Sequence, residues 1–174
     1  AKEVTQTLFE IANAVNATSS LNDLYRAIHQ SLGRVLDVTN FFIAIVNKEE
    51  KTLFFPYHVD VKDDGFGPIT NFNSDNSLTG LVVSTGSPVL LNEKELLERA
   101  SKNGVWGPAS VIWMGVPLKV AGKINGVIAI QSYTDPDCYT KKDLALLSSV
   151  SDQIAVAIDR KQAQEELHKS EVRY

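Results

Sequence analysis

Apolar residues recur at Val4, Leu8, Ile11 and Val15, in steps of four, three and four that set them on one face of a helix. The segment Thr18-Ser19-Ser20 interrupts the pattern, and Leu24, Ile28, Leu32 and Val35 resume it. Ser20 with Asp23 three residues on has the form of a capping box, so a second helix is expected over about 21–36.

From Phe41 the period gives way to a continuous apolar run, FFIAIV, bounded by polar residues at 47–51. It is too short for a helix and predicts a strand buried on both faces. The aromatic-rich run Leu53 to Val59 follows after so short a linker that an antiparallel hairpin is the simplest connection. Pro56 within it calls for a sheet edge or a bulge. Residues 60–76 are polar and aperiodic yet carry Phe66 and Phe72, so this loop is expected to fold over something.

Leu78 to Thr85 predicts a short helix closed by Gly86, with PVLLN after it as a short strand. Asn92 with Glu95 caps a further helix over about 93–102. A break at Gly104 to Pro108 contains Trp106 and precedes two strands, Ser110 to Val120 and Ile124 to Ser132, joined through Ala121-Gly122-Lys123. Thr140 with Asp143 opens the last helix, in which Leu144, Leu147, Ile154 and Ile158 bury one face.

Beyond Arg160 the charges balance and the apolar stripe thins to Ala163, Leu167 and Tyr174. The Glu165–Lys169 pair adds about 0.3 kcal/mol, too little to hold a lone helix in water. A partner helix is implied, most simply its own copy in a homodimer formed through the terminal helices.

At 174 residues and 44% apolar content the chain has material for one core and one domain. Seventeen basic against 21 acidic residues give a net charge of −4 with no basic run, which makes nucleic acid an unsuitable partner. The apolar stretches are far too short to span a bilayer and no signal pattern opens the chain, so a soluble, cytoplasmic protein without direct membrane contact is expected. A single cysteine, Cys138, excludes an intrachain disulfide and fits a reducing compartment. Ala1 in place of Met and a helical pattern running to the last residue predict a segment cut from a longer protein.

Catalytic chemistry finds no support in the spacing. His29, His58 and His168 fall on separate elements, no nucleophile–base or paired-carboxylate arrangement is legible, and no CxxC or His–Cys cluster suggests a metal. His29 and His168 are expected to face solvent. Gly122, Asn125 and Gly126 lie between two strands and form a hairpin turn rather than a phosphate cradle. Cys138 has Asp135 and Asp137 as neighbours, which disfavour its thiolate.

The one constellation with recognition chemistry is aromatic. Tyr57, Phe66, Phe72, Trp106 and Trp113, with His58 beside them, gather near the first hairpin, the long loop and the break before the later strands. Such rings wall a pocket for a small planar ligand, and they equally pack as ordinary core.

Three phrases in order resemble the GAF family over nearly the whole chain: SLTGLVVSTGSPVLLNE (77–93), MGVPLKVAGKINGVIAIQS (114–132) and YTKKDLALLSSVSDQIAVAIDRK (139–161). The tail QAQEELHKSEVRY (162–174) is similar to the helical linker that enters a PAS domain in bacterial sensor kinases and diguanylate cyclases.

The resemblance implies an α/β fold of the α+β type. Its six-stranded, mostly antiparallel sheet would carry the N- and C-terminal helices on one face and loops and short helices on the other. It implies a sensory domain over 1–160 and a linker over 161–174 into a further domain. The implied role is to bind an unidentified small molecule or partner and relay the signal to a histidine kinase or diguanylate cyclase output.

Two alternatives remain at this point, a ligand-free dimerisation and spacer domain and a free-standing enzyme. The methionine sulfoxide reductases on this fold need several cysteines, and this chain has one. Of the family's cyclic-nucleotide constellation N-K-F-D-E, Asp143 and Asp152 lie in the right helix but the Asn-Lys-Phe part is missing. Bilin-binding members use a Cys followed by His, whereas Cys138 is followed by Tyr139. No cofactor is assigned.

Overall fold

Short polar side chains start the helices by satisfying amides that lack an intrahelical partner. The computed structural model describes residues 2–47, 49–62, 65–75, 77–103 and 109–172, without the side chains of residues 2 and 170–172. Helix α1 spans Lys2–Ala17 and α2 Leu21–Leu32, where Ser20 Oγ accepts the Asp23 N–H at 3.2 Å. Helix α3, Leu78–Thr85, begins under Ser77 Oγ at 3.0 Å from the Gly80 nitrogen and ends on Gly86 at φ 64°.

Reciprocal capping boxes open the other two helices. Asn92 and Glu95 exchange side-chain bonds of 2.9 and 3.2 Å at α4, Glu93–Asn103, and Thr140 with Asp143 does the same at α5, Lys141–Val172. Helix α2 stops at Leu32 rather than at about 36. At Gly33 the chain tightens into short turns, with Arg34 N–H bonded to Ser31 O and Val35 N–H to Leu32 O.

The strands are β1 (Asn40–Asn47), β2 (Thr52–Val59), β3 (Ile69–Thr70), β4 (Val89–Leu91), β5 (Ile112–Val120) and β6 (Lys123–Ser132). They form one sheet in the order β3-β2-β1-β6-β5-β4, and every pairing among the described residues is antiparallel. The two-residue β3 inside the loop is too short to leave a period in the sequence. Ala121 at φ 52° and Gly122 at φ 77° make the β5–β6 turn, which needs positive φ at both positions to match the strand twist.

Alternation along the central strands divides the interior into two layers. Phe41, Ile43, Met114, Val116, Ile128 and Ile130 face helices α1, α2 and α5. Phe42, Ala44, Trp113, Val127 and Ala129 face the other way, against Val82 of α3 and Leu96 of α4. Helix α5 is unbroken for 32 residues and crosses the expected boundary at 160/161. Lys161 beyond that boundary is only 5% exposed.

Candidate ligand-binding face

The layer opposite the terminal helices is built by a phase change in β2. Ile43 pairs with Tyr57, but Ile45 pairs with Phe54, so Phe55 and Pro56 together oppose Ala44 in a bulge. The extra residue lets Phe55 and His58, three apart, both reach this layer, while Tyr57 between them turns to the helix side. Phe42 and Phe55 meet edge to face at 5.3 Å, Phe66 joins them at 5.6 and 5.7 Å, and His58 stacks on Phe66 at 4.3 Å and 11°. The loop over 60–76 therefore does fold over something: it brings Phe66 down onto the sheet.

Trp113 forms the floor beside this shelf and is 2% exposed. Its indole lies across Gly115, where an added Cβ would sit 2.5 and 2.8 Å from the ring and 3.2 Å from Val82. Only a residue without a side chain leaves that space.

A polar cluster borders the shelf at the open end of β1, β2 and β6. The Tyr133 hydroxyl donates to Asp60 Oδ1 at 2.8 Å, and Gln131 Nε2 donates to Asp60 Oδ2 at 3.0 Å. Asn40 accepts the Val61 N–H at 2.8 Å and donates to Gln131 O at 3.2 Å, and the Lys62 ammonium lies 5.2 Å above the Tyr133 ring. By register with Trp113 and Asn40, Gln131 stands on the same side of the sheet as the aromatic shelf. A flat ring system can lie on the shelf while polar groups at its edge meet this cluster.

Of the residues expected to line a site, His58, Phe66 and Trp113 share this face. Tyr57 does not: its hydroxyl is 2.9 Å from His29 Nδ1, and its ring meets Phe41 and Tyr25 on the helix side. Phe72 is half-buried at the end of β3, with its N–H on Lys51 O at 3.2 Å. Trp106 lies outside the described residues. Phe42 and Phe55 were not singled out by sequence, because the continuous runs FFIAIV and LFFPYH do not declare their facing until the bulge at Pro56 is located, and Asp60, Gln131 and Tyr133 meet only across strand ends some 70 residues apart.

His29 corrects an expectation. It does not face solvent but bridges two elements, with Nε2 at 2.8 Å from Val38 O, Nδ1 on Tyr57 and its ring stacked on Phe41 at 4.4 Å. A carbonyl only accepts, so Nε2 carries a proton, and in the neutral imidazole Nδ1 then accepts from the Tyr57 hydroxyl.

Cys138 sits away from this face, its Sγ 3.7 Å from Asp37 Oδ2. Burial first, and then the charges of Asp37 and Asp135, push its thiol up, whereas Thr39 hydrogen bonds hold the Asp37 carboxyl low. Alkylation by iodoacetamide at pH 8 should run slower than for an unstructured cysteine peptide and accelerate only at higher pH. Rapid labelling at pH 7 would contradict this environment. Among the described residues no group of three His, Cys, Asp or Glu is arranged to hold a metal, and no described helix is long and apolar enough to cross a membrane.

Comparison with known proteins places this arrangement. None of the curated proteins matches the chain in sequence. The GAF domain from an Acinetobacter phosphoenolpyruvate-protein phosphotransferase superimposes with a TM-score of 0.71 at 20% identity, over 94% of this chain and 97% of that one. A free methionine-R-sulfoxide reductase from Neisseria meningitidis, solved with its substrate, gives 0.69 at 14% identity over 94% of each chain. A far-red absorbing dark state with bound biliverdin IXa gives 0.66 at 13% identity, over 90% of this chain and 99% of that one. These likenesses establish the fold. The family model for the GAF domain matches residues 18–159, most of the sequence, and with the sheet order, the helix layer and the shelf described above it shows that this chain belongs to the GAF domain family.

Proposed function

We propose that this GAF domain is a sensory input module of a cytoplasmic signalling protein. A small planar molecule settles on the shelf of Phe42, Phe55, His58 and Phe66, beside Trp113 and the Asp60–Tyr133 edge. The signal leaves along α5 toward a downstream output, a histidine kinase or a diguanylate cyclase reached through a PAS domain. The domain itself performs no reaction in this reading.

The observation that carries the reading is the alternation in β5. Trp113 lies on the ligand side while its neighbours Ile112 and Met114 pack in the core shared with α5. A ligand that displaces Trp113 therefore moves the strand on which α5 rests, and a ligand that favours one packing of α5 over another shifts their populations. Two copies of the chain pair along α1 and α5, where Phe9 is 63% and Leu167 62% exposed.

Burial of Trp113 favours a second reading, a ligand-free dimerisation and spacer domain whose ligand side is filled by its own side chains. The two are separated by denaturing the purified protein, weighing what is released, and screening nucleotides, anions and tetrapyrroles by thermal shift. A stoichiometric compound, or a shift abolished by Phe66→Ala, supports sensing. No release and no shift support the spacer. The dimer is tested by light scattering of the Leu167→Glu variant, which should be monomeric where the parent is dimeric; a monomer in both removes the pairing.

A further inference from the structure

Helix α1 ends at Ala17 and α2 begins at Leu21, so the turn between them leaves carbonyls exposed on one side and amides on the other. Two side chains of α5, one helical turn apart, meet these opposite ends. The Lys161 ammonium donates to Val15 O at 2.9 Å and to Thr18 O at 2.5 Å, and Glu165 Oε1 accepts the Leu21 N–H at 2.7 Å. The cation therefore stands at the negative end of α1 and the anion at the positive end of α2, the favourable sense at both. Glu165 lies close enough to Tyr25 of α2 that, after burial, its charge is the next cause pushing the phenol up to about 12.

Ala157 and Ile158 are the last apolar residues of α5 buried in the core among the described residues, and beyond them only Lys161 is buried. A cavity of about 300 Å³, lined by Ile45, Leu118, Asn125, Ala155, Ile158 and Gln162, opens between this part of the helix and the sheet. We propose that Lys161 and Glu165 form a two-point latch that sets the register of α5 against the α1–α2 turn and passes movement of α1 into α5 where the sheet no longer supports it. Sliding α5 by one turn, about 5.4 Å, would break both contacts together, which makes the latch two-state rather than graded. The coupling is reciprocal: loosening either contact loosens the other.

The regulatory sense of the latch rests on the relay reading above, but the latch has its own readout. Amide hydrogen exchange is compared in the full chain, Lys161→Met, Glu165→Ala and the double variant; both substitutions keep good helix formers in α5. Exchange over 14–24 and over 159–169 should rise together in each single variant, roughly tenfold, while β1, β5 and β6 stay protected. The double variant should exchange no faster than the worse single one.

Should the buried Lys161→Met fail to fold, Glu165→Ala decides alone. It must speed exchange in the last turn of α1, which Glu165 does not touch. Effects confined to the helix end that each side chain contacts, and additive in the double variant, would make these two separate caps and overturn the latch. That outcome leaves the ligand and dimer tests untouched.

Discussion

Trp113→Ala should lower the unfolding free energy by about 3–5 kcal/mol, the range for removing a large buried aromatic. The side chain is 2% exposed and packs in one cluster with Phe42, Val82 and Leu96, while Gly115 beneath it holds the indole flat against the strand. Partial collapse is opposed on three sides by α3, α4 and the sheet, so a cavity remains. In a chain of 174 residues the melting temperature should fall by roughly 6–20 °C. Urea unfolding of parent and variant measures it, and a loss below about 1 kcal/mol would mean that Trp113 is a pocket wall with free space beside it rather than structural floor.

Gly126→Ala acts on the middle of the sheet. Its Cβ would come closer than 3.0 Å to Ala44 O and within 3.4 Å of Leu118 Cδ1. The first of these is backbone in a paired strand and cannot rotate away, so β1 and β6 must part where Ile45 opposes Gly126. The expected cost is at least about 1–3 kcal/mol, as for overpacking a tight interior. Gly67→Ala is the control, since nothing lies within 4 Å of its added Cβ. A change at Gly126 no larger than at Gly67 would show that the two strands accommodate a methyl group and that the close approach is not fixed.

Most of the architecture was legible because it is local. The Ser20, Asn92 and Thr140 caps, the Gly86 stop and the hairpin turn at Ala121-Gly122-Lys123 are each decided within about four residues, and each appears where the pattern puts it, whereas the Ser77 cap of α3 is seen only in the structure. Pro56 announced an irregularity and the bulge is there, but its consequence was not legible. One inserted residue turns Tyr57 to the helix side and leaves His58 with Phe66, a swap that depends on register rather than on residue type.

Long-range polar contacts were equally silent in the sequence. His29 finds Tyr57 and Val38 across the helix–sheet boundary, and Lys161 and Glu165 find a turn some 140 residues earlier. In the sequence the latter two read only as part of a charge-balanced tail, Glu165 as the partner of Lys169, because charge alone does not say which helix end will come near it.

The account stands on communication between the aromatic face and the terminal helices, and one measurement addresses it directly. Amide exchange over 14–24 and 159–169 is followed in the full chain before and after saturation with whichever nucleotide, anion or tetrapyrrole raises the melting temperature most. A bound compound should change exchange at both helix segments as well as at His58 and Phe66, with the change at the helices lost in Phe66→Ala. A compound that protects the shelf and leaves α1, the α1–α2 turn and the end of α5 unaltered would contradict the relay.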